Sequence, residues 1–334
     1  MTTFARILTC FCLTYSLSGN AQQFRSFSQG FEVNTFINPG YAERFPLISS
    51  CSLFVKTDGT YRSRPQLPNG PSTLFFDGDL YWSPRRNGAT LIGGAHFVRF
   101  NTNPIYSNRL SGRIAGVIPL SKTRHLSVGI SPGVLQHRVA TEQLLPLFPN
   151  DPVLADSVRV NRSFSIGAGV YFVSNFQWPW KQGSRYQEYF FLGYSMPRIG
   201  LPTKDSLKIN QVTHHYLHAG FKSQIKDSDF YVEPVFLVKY VKNLPVQGEG
   251  VIRIIYKTVE ENISDNFWVG VGIAGSKHQW LEMGHLEMGV GLNGGLPSTL
   301  RLSYTFSSKS YISAFNAALE CLVTVVPFQK TARK

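Results

Sequence analysis

Apolar residues alternate with small or polar residues along most of this chain. In residues 163–173, SFSIGAGVYFV, every second residue from Phe164 to Phe172 is apolar, and Ser or Gly stands between them as far as Gly169. Because successive side chains of a β-strand point to opposite faces, the pattern predicts a strand with one apolar and one small, polar face. The same alternation in residues 229–242 and 299–306 predicts two further strands.

About fourteen segments of this kind can be marked. Each is about 9–13 residues long, which is the length that a tilted strand needs to cross a bilayer. An even number is what a closed bacterial barrel requires when both chain ends lie on one side. The predicted strands are centred near Ser52, Phe76, Gly94, Ala115, Ile130, Gly169, Phe191, Leu217, Phe236, Ile254, Val271, Leu286, Ser303 and Leu322.

The composition supports a sheet between an apolar and a polar environment. Only 16% of the 334 residues are charged, whereas 43% are hydrophobic and 13% aromatic. A typical soluble domain carries about 25% charged residues. Unpaired backbone groups are excluded from hydrocarbon, so a strand protein spans a membrane only as a closed barrel. The sequence therefore predicts an all-β, antiparallel β-barrel in one domain, in which glycines inside the strands leave room in the interior. A pair of soluble sandwiches is the competing interpretation.

The ends of the chain differ from this pattern. Residues 1–21 combine Arg6 with a short apolar core and small residues, which predicts a cleaved secretory signal peptide. We expect residues 22–46 to form a separate N-terminal segment, residues 47–328 the barrel, and residues 329–334 a basic tail. No later apolar run is long enough, at about 18 residues, to predict a transmembrane helix.

The net positive charge of the chain limits the kinds of partner that it can bind. The formal net charge is +13, but its Lys and Arg residues are scattered and form no nucleic-acid-binding module. The excess can attract an acidic protein or anionic lipid head groups, and ordinary solvated loops account for it equally well.

Cys51 and Cys321 remain after cleavage of the signal peptide. They either pair in an oxidising compartment or stay as isolated thiols.

The beginning of the mature chain carries two short motifs. Phe27-Ser28-Gln29 is followed by Asn38-Pro39-Gly40-Tyr41-Ala42. The pair resembles the N-terminal motifs of the PorP/SprF family. Further stretches in the family's order are DPVLADS (151–157), FFLGYSMPRI (190–199), HHYLHAGF (214–221), VEPVFLVKYVKNLP (232–245) and DNFWVGVGI (265–273). The last hairpin departs from the family pattern.

The resemblance implies a location and a role. It implies a component of the type IX secretion and gliding machinery in the bacterial outer membrane, in contact with its lipid. Its expected partners are the C-terminal domain of secreted adhesins and the motor or ring components of the system. An outer-membrane diffusion channel for small or hydrophobic solutes is the alternative.

The N-terminal segment invites a specific hypothesis. Asn38 precedes a proline, which disfavours helix at that residue, and Gly40 permits a turn. Aromatic and amide side chains suit a segment that packs inside a barrel or at its periplasmic mouth. We therefore predict a plug or partner contact, with a disordered lead-in as the alternative. Its candidate residues are Phe27, Ser28, Gln29, Asn38, Pro39 and Tyr41.

No group of residues predicts catalysis, a metal or a cofactor. His214 and His218 share one strand face but stand about 13 Å apart, and His215 points the other way. His285 and Glu287 share a face that is expected to line the lumen.

Long loops are predicted at 137–162 and 197–211, and tight turns at 120–124 and 226–229. The tryptophans expected in an interfacial girdle, or alternatively in the core, are Trp82, Trp178, Trp180 and Trp268.

Overall fold

The computed structural model describes most of the chain after residue 33. The described ranges are 34–42, 47–60, 72–82, 89–102, 105–140, 158–176, 188–199, 213–225, 228–242, 244–257, 266–276, 279–293, 297–307 and 316–329. They contain one short helix, α1 (Asn34–Ile37), and fourteen strands. The predicted signal peptide, the motif Phe27-Ser28-Gln29, and residues 330–334 of the basic tail lie outside the described residues.

Each of the fourteen predicted strand centres falls inside a strand, so the predicted all-β class and strand number are confirmed. The strands are β1 (Leu47–Thr60), β2 (Ser72–Trp82), β3 (Thr90–Thr102), β4 (Ile105–Pro119), β5 (Arg124–Ala140), β6 (Val158–Phe176), β7 (Glu188–Ile199), β8 (His214–Gln224), β9 (Phe230–Val241), β10 (Gln247–Lys257), β11 (Asn266–Ser276), β12 (Gln279–Asn293), β13 (Pro297–Ser307) and β14 (Asn316–Gln329).

The sheet closes on itself. Every strand pairs antiparallel with its neighbours in sequence, and β1 pairs with β14 as well as with β2. Leu47 lies opposite Gln329, so the barrel begins and ends at one rim, which we call the near end; the opposite rim is the far end. Closure into one barrel excludes the competing pair of sandwiches.

The barrel is apolar outside and polar inside. On β6 the Phe164 side chain is 50% exposed, whereas the neighbouring Ser165 is 0% exposed. This reverses the arrangement of a soluble protein and matches a wall in contact with lipid. Apolar side chains exposed on the outer face include Phe76, Leu110, Ile114, Val128, Ile130, Phe236, Val271 and Leu286.

The apolar outer band is as tall as a bilayer requires. On β4 and the residue that follows it, the outward positions from Leu110 to Leu120 carry apolar residues or Gly. These ten steps of about 3.3 Å, tilted by about 40°, cover about 25 Å along the barrel axis, which is the usual height of the lipid-facing band. Within the described residues, no helix is long and apolar enough to span a membrane.

Several strands extend beyond the predicted 9–13 residues. β5 has 17 residues and β6 has 19, so residues 137–140 and 158–162 of the predicted loop 137–162 belong to strands. The predicted loop 197–211 likewise begins inside β7, which ends at Ile199. The tight turn after β4 is confirmed, because the Leu120 backbone N–H donates to the Arg124 carbonyl at 2.9 Å.

The register of β1 and β14 decides whether the two mature cysteines can pair. Cys51 lies opposite Val325, and Cys321 lies opposite Val55. Four residue steps of about 3.3 Å therefore separate the two cysteines along the strands. A disulfide requires Cα atoms about 4.4–6.8 Å apart, so this register excludes the pairing.

Candidate functional site: the occupied lumen

Residues 34–42, which we call the luminal segment, lie inside the barrel and form a turn at their centre. The Tyr41 backbone N–H donates to the Asn38 carbonyl at 2.9 Å, and the Gly40 N–H donates to Asn38 Oδ1 at 2.8 Å. Pro39 supplies the φ that the second position of such a turn requires, and the Asn38 side chain adds an Asx turn. The local chemistry of Asn-Pro-Gly therefore fixes the shape of the segment.

Hydrogen bonds from three strands hold this turn. Asn38 Nδ2 donates to the Val170 carbonyl on β6 at 3.0 Å. The Ser195 hydroxyl on β7 donates to the Ile37 carbonyl at 2.7 Å. Arg113 Nε on β4 donates to the Pro39 carbonyl at 2.9 Å. Asn38 is 0% exposed, so these bonds satisfy polar groups that water does not reach.

Two inward-facing glycines provide the space for the turn. A Cβ on Gly129 of β5 would lie 2.6 Å from the Pro39 carbonyl carbon, and a Cβ on Gly169 of β6 would overlap the Asn38 amide. Gly40 is equally close to the wall, because its own Cβ would lie 2.5 Å from the Gly169 carbonyl oxygen. The turn and the wall thus approach each other at van der Waals contact between backbones.

The helical part of the segment packs toward the far end. The Thr35 hydroxyl donates to Asp77 Oδ2 on β2 at 2.8 Å. The Phe36 ring meets Phe75 edge-on at 6.1 Å and His96 at 5.6 Å, and the Arg109 guanidinium lies 5.1 Å from its centroid. Aromatic contacts of this kind contribute beyond the burial of area alone.

The segment also takes part in the apolar interior. Ile37 belongs to one buried cluster with Tyr171, Val173, Phe191, Val235, Leu237 and Val251. Tyr41 packs against the Tyr171 ring at 5.1 Å between centroids. Ala42 joins Ile92 and Ala115 nearer to the near end, the rim at which β1 begins. The luminal segment therefore bridges opposite parts of the wall.

A buried ion pair supports the turn from β2. Asp79 pairs with Arg113 Nη1 and so orients the guanidinium whose Nε reaches Pro39. The pair spans three strands, because Asp79 lies opposite Gly94, and Gly94 lies opposite Arg113. A Cβ on Gly94 would overlap the Asp79 carboxylate. Glycine at this position allows an acid and an arginine two strands apart to meet.

The same arrangement recurs across the lumen. Glu287 on β12 lies opposite Gly270, which lies opposite Arg253 on β10. Arg253 Nε contacts Glu287 Oε1 at 2.5 Å, and Arg253 Nη1 contacts Glu233 Oε2 on β9 at 3.3 Å. The Tyr189 hydroxyl also donates to Glu233. Two acid–glycine–arginine rows thus crosslink the interior of the barrel.

A group of three buried cations lies between the luminal segment and the far end. It consists of Arg109, Arg198 and Lys239, which we call the far-mouth cations. Arg109 and Arg198 are close enough for their charges to repel, and Glu249 attracts Lys239. Arg109 donates to the Ser111 hydroxyl at 3.1 Å and to the Pro197 carbonyl at 2.6 Å. The pairing of β7 with both neighbours is irregular beside this proline.

The predicted site residues thus separate into two groups. The structure places Asn38 and Pro39 at the tightest contact between segment and wall, and Tyr41 against Tyr171. Phe27, Ser28 and Gln29 lie outside the described residues. Sequence reasoning missed the wall partners Asp79, Arg113 and Gly169, because these residues meet the turn only once the sheet has closed into a barrel. It also missed the far-mouth cations, although alternation places Arg109 at an inward position next to the outward Leu110.

The histidines and Glu287 lie on the faces that alternation predicts. His214 and His218 are buried in the lumen, whereas His215 is outside, beside the Tyr194 hydroxyl at 2.8 Å. His285 and Glu287 are also luminal. Among the described residues, no cluster of three His, Cys, Asp or Glu side chains is arranged to hold a metal ion.

The tryptophans divide between the two alternatives. Trp82 is 64% exposed at the near end of β2, as an interfacial girdle requires, whereas Trp268 is buried in the lumen over Gly289. The girdle assignment is therefore wrong for Trp268. Trp178 and Trp180 lie outside the described residues.

These features define an outer-membrane β-barrel with an occupied lumen. A family model for the type IX secretion system membrane protein PorP/SprF matches residues 19–318. The chain belongs to this family and is a protein of the outer membrane. No curated protein matches its sequence.

Solved barrels share the fold at low sequence identity. The CymD monoaromatic hydrocarbon channel covers 93% of this chain and 96% of its own, at 14% identity and a TM-score of 0.56. A deltaS2 mutant of the TodX monoaromatic hydrocarbon channel covers 88% and 94%, at 9% identity and 0.55. A FadL homologue from Pseudomonas aeruginosa covers 89% and 94%, at 11% identity and 0.54. The likeness at these identities concerns the fold alone.

Proposed function

We propose that this protein is a non-catalytic docking component of the type IX secretion system. In this role it binds surface proteins, adhesins among them, and helps to export them or anchors them at the outer membrane. Its partners are the C-terminal domain of the secreted adhesin and the motor or ring components of the system. The observation that carries the proposal is the attachment of the luminal segment to the wall by Asn38, Ser195 and Arg113.

A fixed interior favours binding over transport. The turn at Asn38 packs against the backbone of Gly129 and Gly169, and three hydrogen bonds attach it to β4, β6 and β7. A preorganised surface binds with less loss of conformational entropy than a mobile one. The barrel therefore offers a partner a rigid receptor, whose floor is the luminal segment.

The far-mouth cations select the chemistry of the partner. Arg109, Arg198 and Lys239 lie beyond this floor, toward the end that faces the cell exterior in a barrel whose chain ends are periplasmic. Arginine in particular binds carboxylates in a bidentate manner. We therefore expect the docked part of the adhesin to carry Asp, Glu or a terminal carboxylate.

The near end serves the other partners. The luminal segment ends toward that rim, where Ala42 packs with Ile92 and Ala115, and the turn at residues 120–123 lies at the same rim. These features put a small periplasmic surface in reach of the motor or ring components. Neither interaction requires a cofactor or a chemical step by the protein.

The alternative function is a diffusion channel for small or hydrophobic solutes. It would require a continuous path past the luminal segment. Conductance in a planar bilayer separates the two functions, because docking needs no path for ions and diffusion does.

Co-purification from detergent-solubilised outer membranes tests the proposal. A tagged wild-type chain is expected to bring down an adhesin C-terminal domain, and an Arg198→Gln/Lys239→Gln variant is expected to lose it while keeping the heat-modifiable migration of a folded barrel. Arg124→Gln, which removes an exposed arginine at the near end of β5, is the matched control.

A second arm tests the segment itself. Deletion of residues 24–46 is expected to abolish adhesin capture and surface display. Capture that is unchanged by both the deletion and the double variant, or an adhesin that reaches the surface in cells without the gene, would remove the proposal.

A further inference from the structure

The outer wall carries a polar row near the far end of β3–β6. In register across four strands, Arg99 lies opposite Asn108, Asn108 opposite Gln136, and Gln136 opposite Arg162. All four residues occupy outward positions, and both arginines are exposed. The row therefore faces the surroundings of the barrel and not its lumen.

One step nearer the membrane centre, the same wall is entirely apolar. The outward row there consists of Phe97, Leu110, Val134 and Phe164. Leu110, Val134 and Phe164 are about half exposed, at 59%, 49% and 50%. The outer wall thus changes from apolar side chains to arginines and amides between two adjacent rows of the sheet.

One step beyond the polar row, the wall adds another arginine. Arg138 on β5 lies opposite Val160, so it is the diagonal neighbour of Arg162 on β6. Diagonal neighbours across antiparallel strands are about 7–8 Å apart, close enough for both side chains to reach one anion. Tyr106, opposite Arg138 on β4, adds a hydroxyl.

Among the described residues of this face, the two arginines have no carboxylate counter-ion. In the described residues, the outward positions of β3–β6 include no Asp or Glu, and neither Arg138 nor Arg162 makes an ion pair. Like charges held close together on a sheet repel each other. Binding of an anion between them relieves this repulsion and satisfies both guanidinium groups.

We propose that Arg138 and Arg162, with Gln136 and Tyr106, bind the phosphate of a lipid headgroup in the outer leaflet. Arg99, at the other end of the row, contacts the same headgroup or its neighbour. The apolar row below selects a lipid as the occupant, because a phosphorylated lipid sets its acyl chains against Leu110, Val134 and Phe164 while its phosphate lies at the arginines. This site lies on the outer wall and does not depend on the docking function.

Binding of lipid A to the full-length barrel in detergent micelles tests the site. The probes are phosphorylated lipid A, the same lipid after enzymatic dephosphorylation, and inorganic phosphate as a competitor. Wild type is expected to bind the phosphorylated lipid at least about tenfold more tightly than the dephosphorylated one. Its affinity is expected to fall as salt is raised, since exposed charges are screened.

The matched variants locate the site on the wall. Arg138→Gln/Arg162→Gln is expected to lose the preference for phosphate, whereas Arg124→Gln, at the near end of β5, is expected to keep it. Arg138→Lys/Arg162→Lys retains the charge without the bidentate fork and is expected to bind with intermediate affinity. This variant also provides the answer if the glutamine variant fails to fold.

Three results would overturn the proposal. One is equal affinity of wild type for phosphorylated and dephosphorylated lipid. Another is an unchanged preference in both double variants. The third is full displacement of the lipid by millimolar inorganic phosphate, which would reveal a general anion site and not a lipid site.

Discussion

Arg113 donates a hydrogen bond from Nε to the main-chain carbonyl of Pro39, 2.9 Å away, and thereby joins β4 to the turn in the lumen. The two residues are 74 positions apart in the sequence. Asp79 holds the same guanidinium from β2. The barrel wall and the luminal segment are therefore one packed unit, and changes in either are expected to affect the other.

The close contact between Gly169 and Asn38 predicts that a methyl group added at residue 169 lowers the stability of the protein. Gly169→Ala places a Cβ in the space of the Asn38 amide, so we expect the free energy of unfolding to fall by about 1–3 kcal/mol, the usual cost of overpacking. Urea unfolding in detergent micelles, followed by tryptophan fluorescence, measures it. Gly112→Ala is the control, because no atom lies within 4 Å of that Cβ, and it should change stability by less than about 0.5 kcal/mol. Equal losses in the two variants would contradict the packing.

The ion pair between Asp79 and Arg113 predicts a non-additive pair of substitutions. Asp79→Leu leaves Arg113 charged and buried, and removal of one partner of such a pair costs about 3–5 kcal/mol. Asp79→Leu/Arg113→Met removes both charges and is expected to recover part of this loss. The same urea experiment on Asp79→Leu, Arg113→Met and the double variant completes the cycle. Strict additivity of the single variants would argue against the pair.

The two faces of the wall predict opposite behaviour of two tryptophans. Trp82 is exposed on the outside, whereas Trp268 lies in the lumen. In variants that keep only one of these tryptophans, brominated lipids are expected to quench Trp82 strongly and Trp268 weakly. Quenching of Trp268 to the same extent would mean that β11 faces the other way.

The fold could be predicted because its main signal is local. Alternation along one strand depends only on that strand, and it located each of the fourteen. The turn at Asn38 is local too, since Pro39 and Gly40 prepare it. The same alternation also shows that Trp268 faces inward, because its neighbours Phe267 and Val269 face outward.

The partners inside the lumen could not be predicted in the same way. Asp79 meets Arg113 only because the intervening strand has Gly94 in the same row, which requires the register of β2, β3 and β4. Arg138 and Arg162 become neighbours only through the pairing of β5 with β6 across a long connection. Such contacts follow from the closed sheet and not from spacing in the sequence.

Single-channel conductance of the purified barrel in planar bilayers tests the central claim most directly. The account predicts small or no conductance for the full chain, since the luminal segment is fixed to the wall, and larger, stable steps after deletion of residues 34–42. Folding of both proteins is verified by their heat-modifiable migration. A wild-type conductance as large as that of the deletion variant would contradict the account, because it would show that the segment does not occupy the lumen.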